Sequence, residues 1–312
     1  MKKALILGGS GFLGGHLSDV LKSEYKVYAA SRRCGNLMCK SDTHDLYRDV
    51  MPDVIFYLAA YVGGIGLNQK DPSGMIYKNL QMGINVIEGF KDLSEEYENI
   101  GREKPKLINV GTVCSYPKHA KTPFSEGNIW DGYPEETNAP YGIAKRAIMT
   151  MSKAYSDQYG LRIAFAIPSN LYGPHDNFDL ENSHVIPAIM RKCKEAKEKC
   201  QERVFLWGTG IPTREFLYVK DCACALKFIA ENVETPNPIN ISSNCTISIN
   251  NLANKIKDIV GYKGKIVWDT TKPDGQLVRE VSNERLLNAG CNIDWSSLDD
   301  GLRETFRWYS GK

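Results

Sequence analysis

Gly8-Gly9-Ser10-Gly11-Phe12-Leu13-Gly14, directly behind the apolar run Lys3 to Leu7, decides the fold class. The stretch fits G-x-x-G-x-x-G from Gly8 and the dinucleotide fingerprint G-x-G-x-x-G from Gly9. Between a strand and a helix, glycines allow a tight turn and close backbone approach, while the first helical turn aims unpaired N–H groups at a pyrophosphate. Gly8, Gly11, Phe12, Leu13 and Gly14 are therefore the candidate cofactor cradle.

Outward from this turn, short apolar runs alternate with longer helical patterns. Lys3 to Leu7, Lys26 to Ser31, Asp53 to Leu58, Lys106 to Gly111 and Leu161 to Ile167 read as strands; Gly14 to Leu21, Ile76 to Leu93 and Tyr141 to Tyr159 read as crossover helices. Beyond Pro168 the pattern becomes a polar loop, a charged helix through Arg191 to Arg203, and short strands near Val204 to Trp207, Ile239 to Ile241 and Lys265 to Trp268. The predicted fold class is α/β: a Rossmann-type doubly wound parallel sheet with a smaller, mixed α/β C-terminal substrate lobe. Residues 1–168 are expected to form the NAD(P)-binding domain, with a segment near 215–242 returning to it, and residues 169–312 mainly the substrate-binding lobe.

The 312 residues, 42% hydrophobic and 24% charged, suffice for a full core. A formal charge of +2 gives no net reason to expect nucleic acid or an anionic membrane as the main partner. Ala4-Leu5-Ile6-Leu7, cut off by Gly8-Gly9, is too short for a secretory or membrane-spanning segment. Nine cysteines, an odd number with no C-x-x-C pair, suggest neither a disulfide framework nor a metal cage, so a cytoplasmic protein in a reducing compartment is expected.

Where an NAD-selective site places a carboxylate behind the second strand, this chain has Ser31-Arg32-Arg33. Arg32 and Arg33 suit the 2′-phosphate of NADP(H), which is favoured, with NAD(H) possible. Tyr141 and Lys145, four apart at a helix start, lie on one face. A phenol ordinarily titrates near 10, and a neighbouring ammonium is expected to lower it. Thr112, at the carboxyl end of a central strand, supplies a hydroxyl for a substrate oxygen.

With glycine turn, hydroxyl residue and Tyr-x-x-x-Lys in this order, the chain resembles the extended short-chain dehydrogenase/reductases over nearly its whole length. More narrowly, Ala59 to Ile65, Gly111 to Pro117, Asn170 to Phe178, Ser183 to Pro187, Trp207 to Gly210, Arg214 to Phe216 and Lys272-Pro273-Asp274-Gly275 are similar to segments of the GDP-L-fucose synthase family. The resemblance implies epimerisation of GDP-4-keto-6-deoxy-D-mannose at C3 and C5, then reduction at C4 with NADPH. It implies that Cys114 and His184 are the base and acid of the epimerisation. Tyr141 would protonate the C4 oxygen, with Thr112 fixing that oxygen and Lys145 holding cofactor and phenol. It also places Pro168, Asn170 and Leu171 at the cofactor, and Lys192, Trp207, Arg214 and Asp274 at the GDP-sugar. A homodimer through helices of the first domain is implied as well.

Three positions depart from the family pattern: Tyr61 stands for a lysine, Thr112-Val113 for Ser-Ser, and Cys39 for an acidic residue facing adenine. Two rival functions follow. One is a C4 reductase or dehydrogenase for a related GDP-hexose or GDP-heptose without inversion; the other is a non-catalytic dinucleotide sensor. A 4,6-dehydratase is expected to carry Asp-Glu behind Thr112, where this chain has Val113-Cys114.

Overall fold

The computed structural model describes residues 1–180, 183–272 and 274–311; Glu181, Asn182, Pro273 of the Lys272 to Gly275 motif and Lys312 lie outside the described residues. In chain order the first elements are β1 (Lys2–Leu7), α1 (Phe12–Leu21), β2 (Tyr25–Ala30), α2 (Lys40–Val50), β3 (Val54–Tyr57), α3 (Ile65–Lys70), α4 (Pro72–Asn99), β4 (Lys106–Val110), α5 (Ala139–Tyr159) and β5 (Arg162–Pro168). Then come β6 (Asn170–Tyr172), α6 (Val185–Glu198), β7 (Arg203–Trp207), β8 (Thr213–Tyr218), α7 (Val219–Asn232), β9 (Pro238–Ile241) and β10 (Thr246–Ser248). The chain closes with α8 (Ile249–Val260), β11 (Lys265–Asp269), β12 (Val278–Arg279), α9 (Glu284–Asn288) and α10 (Leu298–Ser310).

Six parallel strands form the main sheet in the order β2-β1-β3-β4-β5-β9. Side chains alternate across it, so β1 sends Leu5 and Leu7 into one layer with Tyr47, Phe90 and Ile148, and Ala4 and Ile6 into the other with Leu17, Leu226 and Ile229. Burial on both faces explains why strands such as Val54–Tyr57 read as unbroken apolar runs. From β1 the chain steps to β2 on one side and then crosses to β3 on the other. That reversal opens a crevice at the carboxyl ends of β1 and β3, where open α/β sheets bind their ligands.

The glycine turn fits helix to strand at this reversal. Gly8 takes φ +94°, and a Cβ on Gly14 would lie 2.4 Å from the Gly8 carbonyl oxygen and 2.8 Å from the Gly9 Cα. A side chain at either position is therefore resisted by backbone, which cannot swing aside.

Beyond β5, a separate set of strands centres on β8. β10 pairs antiparallel with it, β12 pairs parallel at Thr213 and Arg214, and β6 pairs parallel from Phe216 to Tyr218. β7 and β11 form their own parallel pair. Met190 and Cys193 of α6, Leu252 and Ile256 of α8, Leu302 of α10 and Phe216 pack into one apolar cluster beneath. β9 and α7 instead join the main sheet and its second layer.

The charged helix expected from Arg191 to Arg203 runs from Val185 to Glu198, and Arg203 opens β7. Its buried stripe of Ile186, Ile189, Met190, Cys193 and Ala196 begins before the charges, and burial of that stripe sets the start. α2, which the sequence reading omitted, buries only Thr43, Tyr47 and Val50, too sparse a stripe to stand out from its polar residues.

Gly14→Ala should lower stability by about 1–3 kcal/mol through overpacking of the turn. A thermal melt should show the drop, and an unchanged Tm would refute the claimed fit.

Candidate active site

The turn behind β1 leaves specific donors free. Gly9 N–H donates to the Ile6 and Ala30 carbonyls, and Gly11 N–H to the Gly8 carbonyl. The donors that remain are those of the first turn of α1, at Phe12, Leu13 and Gly14, which lack intrahelical acceptors. Gly11 caps this helix without a side chain, and no acidic residue sits in the first turn. The bare, positive helix end thus fits a pyrophosphate. Arg32 and Arg33 lie exposed in the turn behind β2, and among the described residues neither pairs with a carboxylate. Pro168 ends β5, Asn170 and Leu171 open β6, and the Asn170 amide donates to the Glu215 carbonyl at 2.8 Å.

Behind β4 the chain makes a tight turn at Val113–Ser115, capped by Thr112, whose Oγ1 accepts from the Cys114 N–H at 3.2 Å. Accepting there leaves the Thr112 hydroxyl proton available for a ligand oxygen. α5 presses onto this turn at Gly142, where a Cβ would fall 2.3 Å from the Cys114 carbonyl oxygen. Ser115 Oγ donates to the Gly142 carbonyl at 3.3 Å, and the buried Arg146 donates from Nε to the Ser115 carbonyl at 2.6 Å and from Nη1 to the Gly132 carbonyl at 2.8 Å. Thr112, Cys114, Tyr141 and Lys145 are thereby gathered where β4 ends and α5 begins. Gly142, Ser115 and Arg146 hold them there. The sequence reading missed these three; a glycine directly after Tyr141 was the visible signal for the close approach.

Tyr141 is 8% exposed and Lys145 2%. Lys145 Nζ donates to the Val110 carbonyl at 2.8 Å and stands 5.2 Å from the Tyr57 ring centre and 6.0 Å from that of Tyr141. Burial lowers the Lys145 ammonium to about 8. Burial, followed by the charge of Cys114, pushes the Tyr141 phenol up. The expected lowering of the phenol by its lysine is thus overturned: desolvation outweighs an ammonium whose nearest partner is a backbone carbonyl. A phenol that keeps its proton is suited to donating one to an oxygen that gains charge.

His184 caps the start of α6, and its Nδ1 lies 3.8 Å from Oδ1 of the buried Asp176. That carboxylate, opposed by partial burial, holds the imidazole above its ordinary value. In the second group of strands, Trp207 ends β7 exposed, with Lys272 Nζ 5.6 Å from its ring centre. Asp274 accepts from Thr209 N–H at 2.6 Å and Thr209 Oγ1 at 2.7 Å, tying its loop to the end of β7. Lys192 Nζ donates to the Phe205 carbonyl at 3.0 Å. Arg214 is the register partner of Arg279, which the sequence reading missed because the pairing of β8 with β12 is non-local. Burial, and then Arg279, lowers the Arg214 guanidinium to about 10. Two guanidiniums side by side favour an anion such as a diphosphate between them.

Fold and site together define an NAD(P)-dependent oxidoreductase with a Tyr/Lys pair. The model of the NAD dependent epimerase/dehydratase family matches residues 4–242, and the chain belongs to that family. It is 40% identical over 306 residues to the GDP-L-fucose synthase of Sinorhizobium fredii (strain NBRC 101917 / NGR234), covering 98% of this chain and 94% of the relative. Among solved structures, a GDP-L-fucose synthetase from Naegleria fowleri bound to NADP aligns at TM-score 0.89 and 26% identity, covering 99% of this chain and 94% of the other. A GDP-6-OMe-4-keto-L-xylo-heptose reductase from C. jejuni aligns at 0.89 and 25%, covering 99% and 98%.

Lys145, lowered in the folded chain, opposes folding fully below about 8, and the opposition fades as pH rises towards the value of a free lysine. Lys145→Met should therefore raise stability at pH 7 by on the order of 1 kcal/mol, net of the lost hydrogen bond, with the gain shrinking by pH 10, while turnover falls at least about a hundredfold. Melts across this range with parallel rate measurements test it; a destabilised, fully active variant would contradict it.

Proposed function

We propose that the protein converts GDP-4-keto-6-deoxy-D-mannose to GDP-L-fucose with NADPH, inverting C3 and C5 and then reducing C4. The observation that carries this reading is the gathering of Thr112, Cys114, Tyr141 and Lys145 at the carboxyl end of β4. The GDP-L-fucose synthase of S. fredii, matched over nearly the full chain, supports it. Residues 1–168 with the segment near 215–242 serve the dinucleotide, and residues 169–312 mainly the sugar nucleotide.

The amides opening α1 take the pyrophosphate, and Arg32 and Arg33 take the 2′-phosphate. Pro168, Asn170 and Leu171 line the same crevice. Bound there, the dinucleotide supplies the hydride for C4. A C4 carbonyl acidifies the protons on C3 and C5, so Cys114 as thiolate removes one and His184 as imidazolium returns one on the opposite face. Thr112 then holds the C4 oxygen while Tyr141 gives it a proton. Lys145 fixes the geometry of that transfer. Arg214 and Arg279 meet the diphosphate, and Lys192, Trp207 and Asp274 shape the nucleotide end.

One observation favours a second reading, C4 reduction of a related GDP-hexose or GDP-heptose without inversion. Tyr61, a departure from the family pattern, is pinned by a hydrogen bond to Asp71 at 3.0 Å and by Lys78 Nζ 3.8 Å from its ring centre, so its bulk stays in the loop behind β3. The C. jejuni heptose reductase shares the fold.

Incubation with GDP-4-keto-6-deoxymannose and NADPH in deuterated water should consume NADPH and label C3 and C5 of a fucose product. Replacing Arg32 and Arg33 by alanine should raise the KM for NADPH roughly tenfold or more while leaving NADH use little changed. Reduction without label selects the second reading, and no turnover with any 4-keto GDP-sugar refutes both.

The protein acts in the cytoplasm as a homodimer through α4 and α5. Exposed Tyr77 and Ile84 on α4 and Tyr159 at the end of α5 support the interface. Nine free thiols support a reducing compartment. No described helix is long and apolar enough to cross a membrane. Sedimentation of protein from the soluble cell fraction should give the mass of two chains; a single-chain mass or recovery with membranes would overturn this assignment.

A further inference from the structure

His184 is an awkward residue to entrust with a proton, because its side chain is 55% exposed. Asp176 is the contrast, with a side chain 4% exposed. Its Oδ1 accepts from the Asn177 N–H at 2.7 Å, whereas its buried Oδ2 has no hydrogen-bond partner among the described residues. A buried carboxylate oxygen left without a donor is costly unless a cation stands near. The imidazole of His184, with Nδ1 3.8 Å from Oδ1, is the group at hand.

The loop that carries Asp176 is braced from three helices. His16 of α1 bonds through Nε2 to the Pro174 carbonyl at 2.8 Å. His175 takes φ +71°, an unfavourable backbone for a residue with a Cβ, and its ring packs between His16 at 5.7 Å and Trp308 of α10 at 4.7 Å. Phe178 stacks on Tyr309 at 3.9 Å, and its carbonyl accepts from Arg191 of α6 at 2.9 Å. Strain at His175 persists because these contacts over-determine the loop. The carboxylate therefore has a fixed position beside the histidine that opens α6.

We propose that Asp176 is a positioning residue for His184, engaging Nδ1 from its buried, braced loop so that Nε2 is the atom that hands a proton to the sugar. The inference rests on the epimerase reading above. Each inversion then balances: Cys114 thiolate takes one proton from carbon, His184 Nε2–H returns one, and the resulting thiol and neutral imidazole are reset by exchange with water. Among the described residues Asp176 is the charged group that acts on His184, and α6 brings no acidic side chain in its first turn. The carboxylate also favours the imidazolium, the form that carries the proton to be given.

Deuterium entry at C3 and C5, followed by NMR against pH, tests the assignment. Asp176→Asn should shift the alkaline limb of the profile towards acid by about one pH unit and cut entry at pH 8 about tenfold, with KM little changed, and Asp176→Glu should recover part of the rate. An Asp176→Asn profile superimposable on that of the unmodified protein would overturn the proposal. Nitrogen-15 histidine spectra of the unmodified protein, with His184 assigned by its loss in His184→Gln, keep the test independent of whether the variants fold. They should show Nδ1 protonated through pH 7; a neutral ring with its proton on Nε2 would overturn the proposal. Failure of the epimerase reading has a different signature: no deuterium enters with unmodified protein, while the nitrogen spectra still decide whether Asp176 holds Nδ1.

Discussion

Backbone pressed against backbone at Gly14 and Gly8 is the constraint on which the rest of the structure depends. A helix can start close behind β1 only because nothing projects between its first turn and the Gly8 carbonyl. That closeness sets the uncapped amides of α1 over the crevice where the strand order reverses between β1 and β3. The same economy of side chain recurs at Gly142, where α5 settles on the Cys114 carbonyl. One contact places the first-turn amides of α1, and the other places Tyr141 and Lys145 beside Thr112 and Cys114. Both are fixed by parts of the chain that offer no side chain of their own.

Burial then sets the chemistry that these contacts leave possible. At neutral pH the folded site disfavours both the phenolate of Tyr141 and the ammonium of Lys145, because each charge has been moved away from water. The pair is therefore poised with its protons on the phenol and, weakly, on the amine. That is the state required of a group that must give a proton to a reduced carbonyl oxygen. In the second group of strands the imbalance involves cations: Arg279, the register partner of Arg214, adds to burial in lowering its guanidinium, and Asp274 opposes them.

The main sheet was largely legible because its strands are buried on both faces and separated by helices with strong apolar stripes. Predicted limits such as Lys106 to Gly111 and Tyr141 to Tyr159 differ from the observed ones by one or two residues. Where the apolar stripe was thin, as in α2, the element was missed. Where charges hid the stripe, as in α6, it was misplaced by six residues at its start, from Arg191 to Val185. Within the site, residues close in sequence, such as Tyr141 and Lys145, could be paired from spacing alone. Arg279 could not, because its partnership with Arg214 exists only once β12 has paired with β8. The direction of the Tyr141 shift was equally invisible, since it depends on the depth of burial and no sequence pattern states that depth.

His184 and Asp176 are held by different parts of the fold. The histidine opens α6, whose apolar stripe belongs to the cluster beneath β8, whereas the carboxylate beside it sits on a loop clamped to α1 through His16 and the Pro174 carbonyl. The same loop is held to α6 through Arg191 and the Phe178 carbonyl, so Asp176 is linked to both helices. The helix whose first-turn amides face the crevice is thus tied to the loop that holds Asp176 beside His184. The tie runs through one hydrogen bond and a ladder of rings from Phe12 through His16 and His175 to Trp308. Through that bond and those rings, a displacement of α1 acts on the loop that carries Asp176.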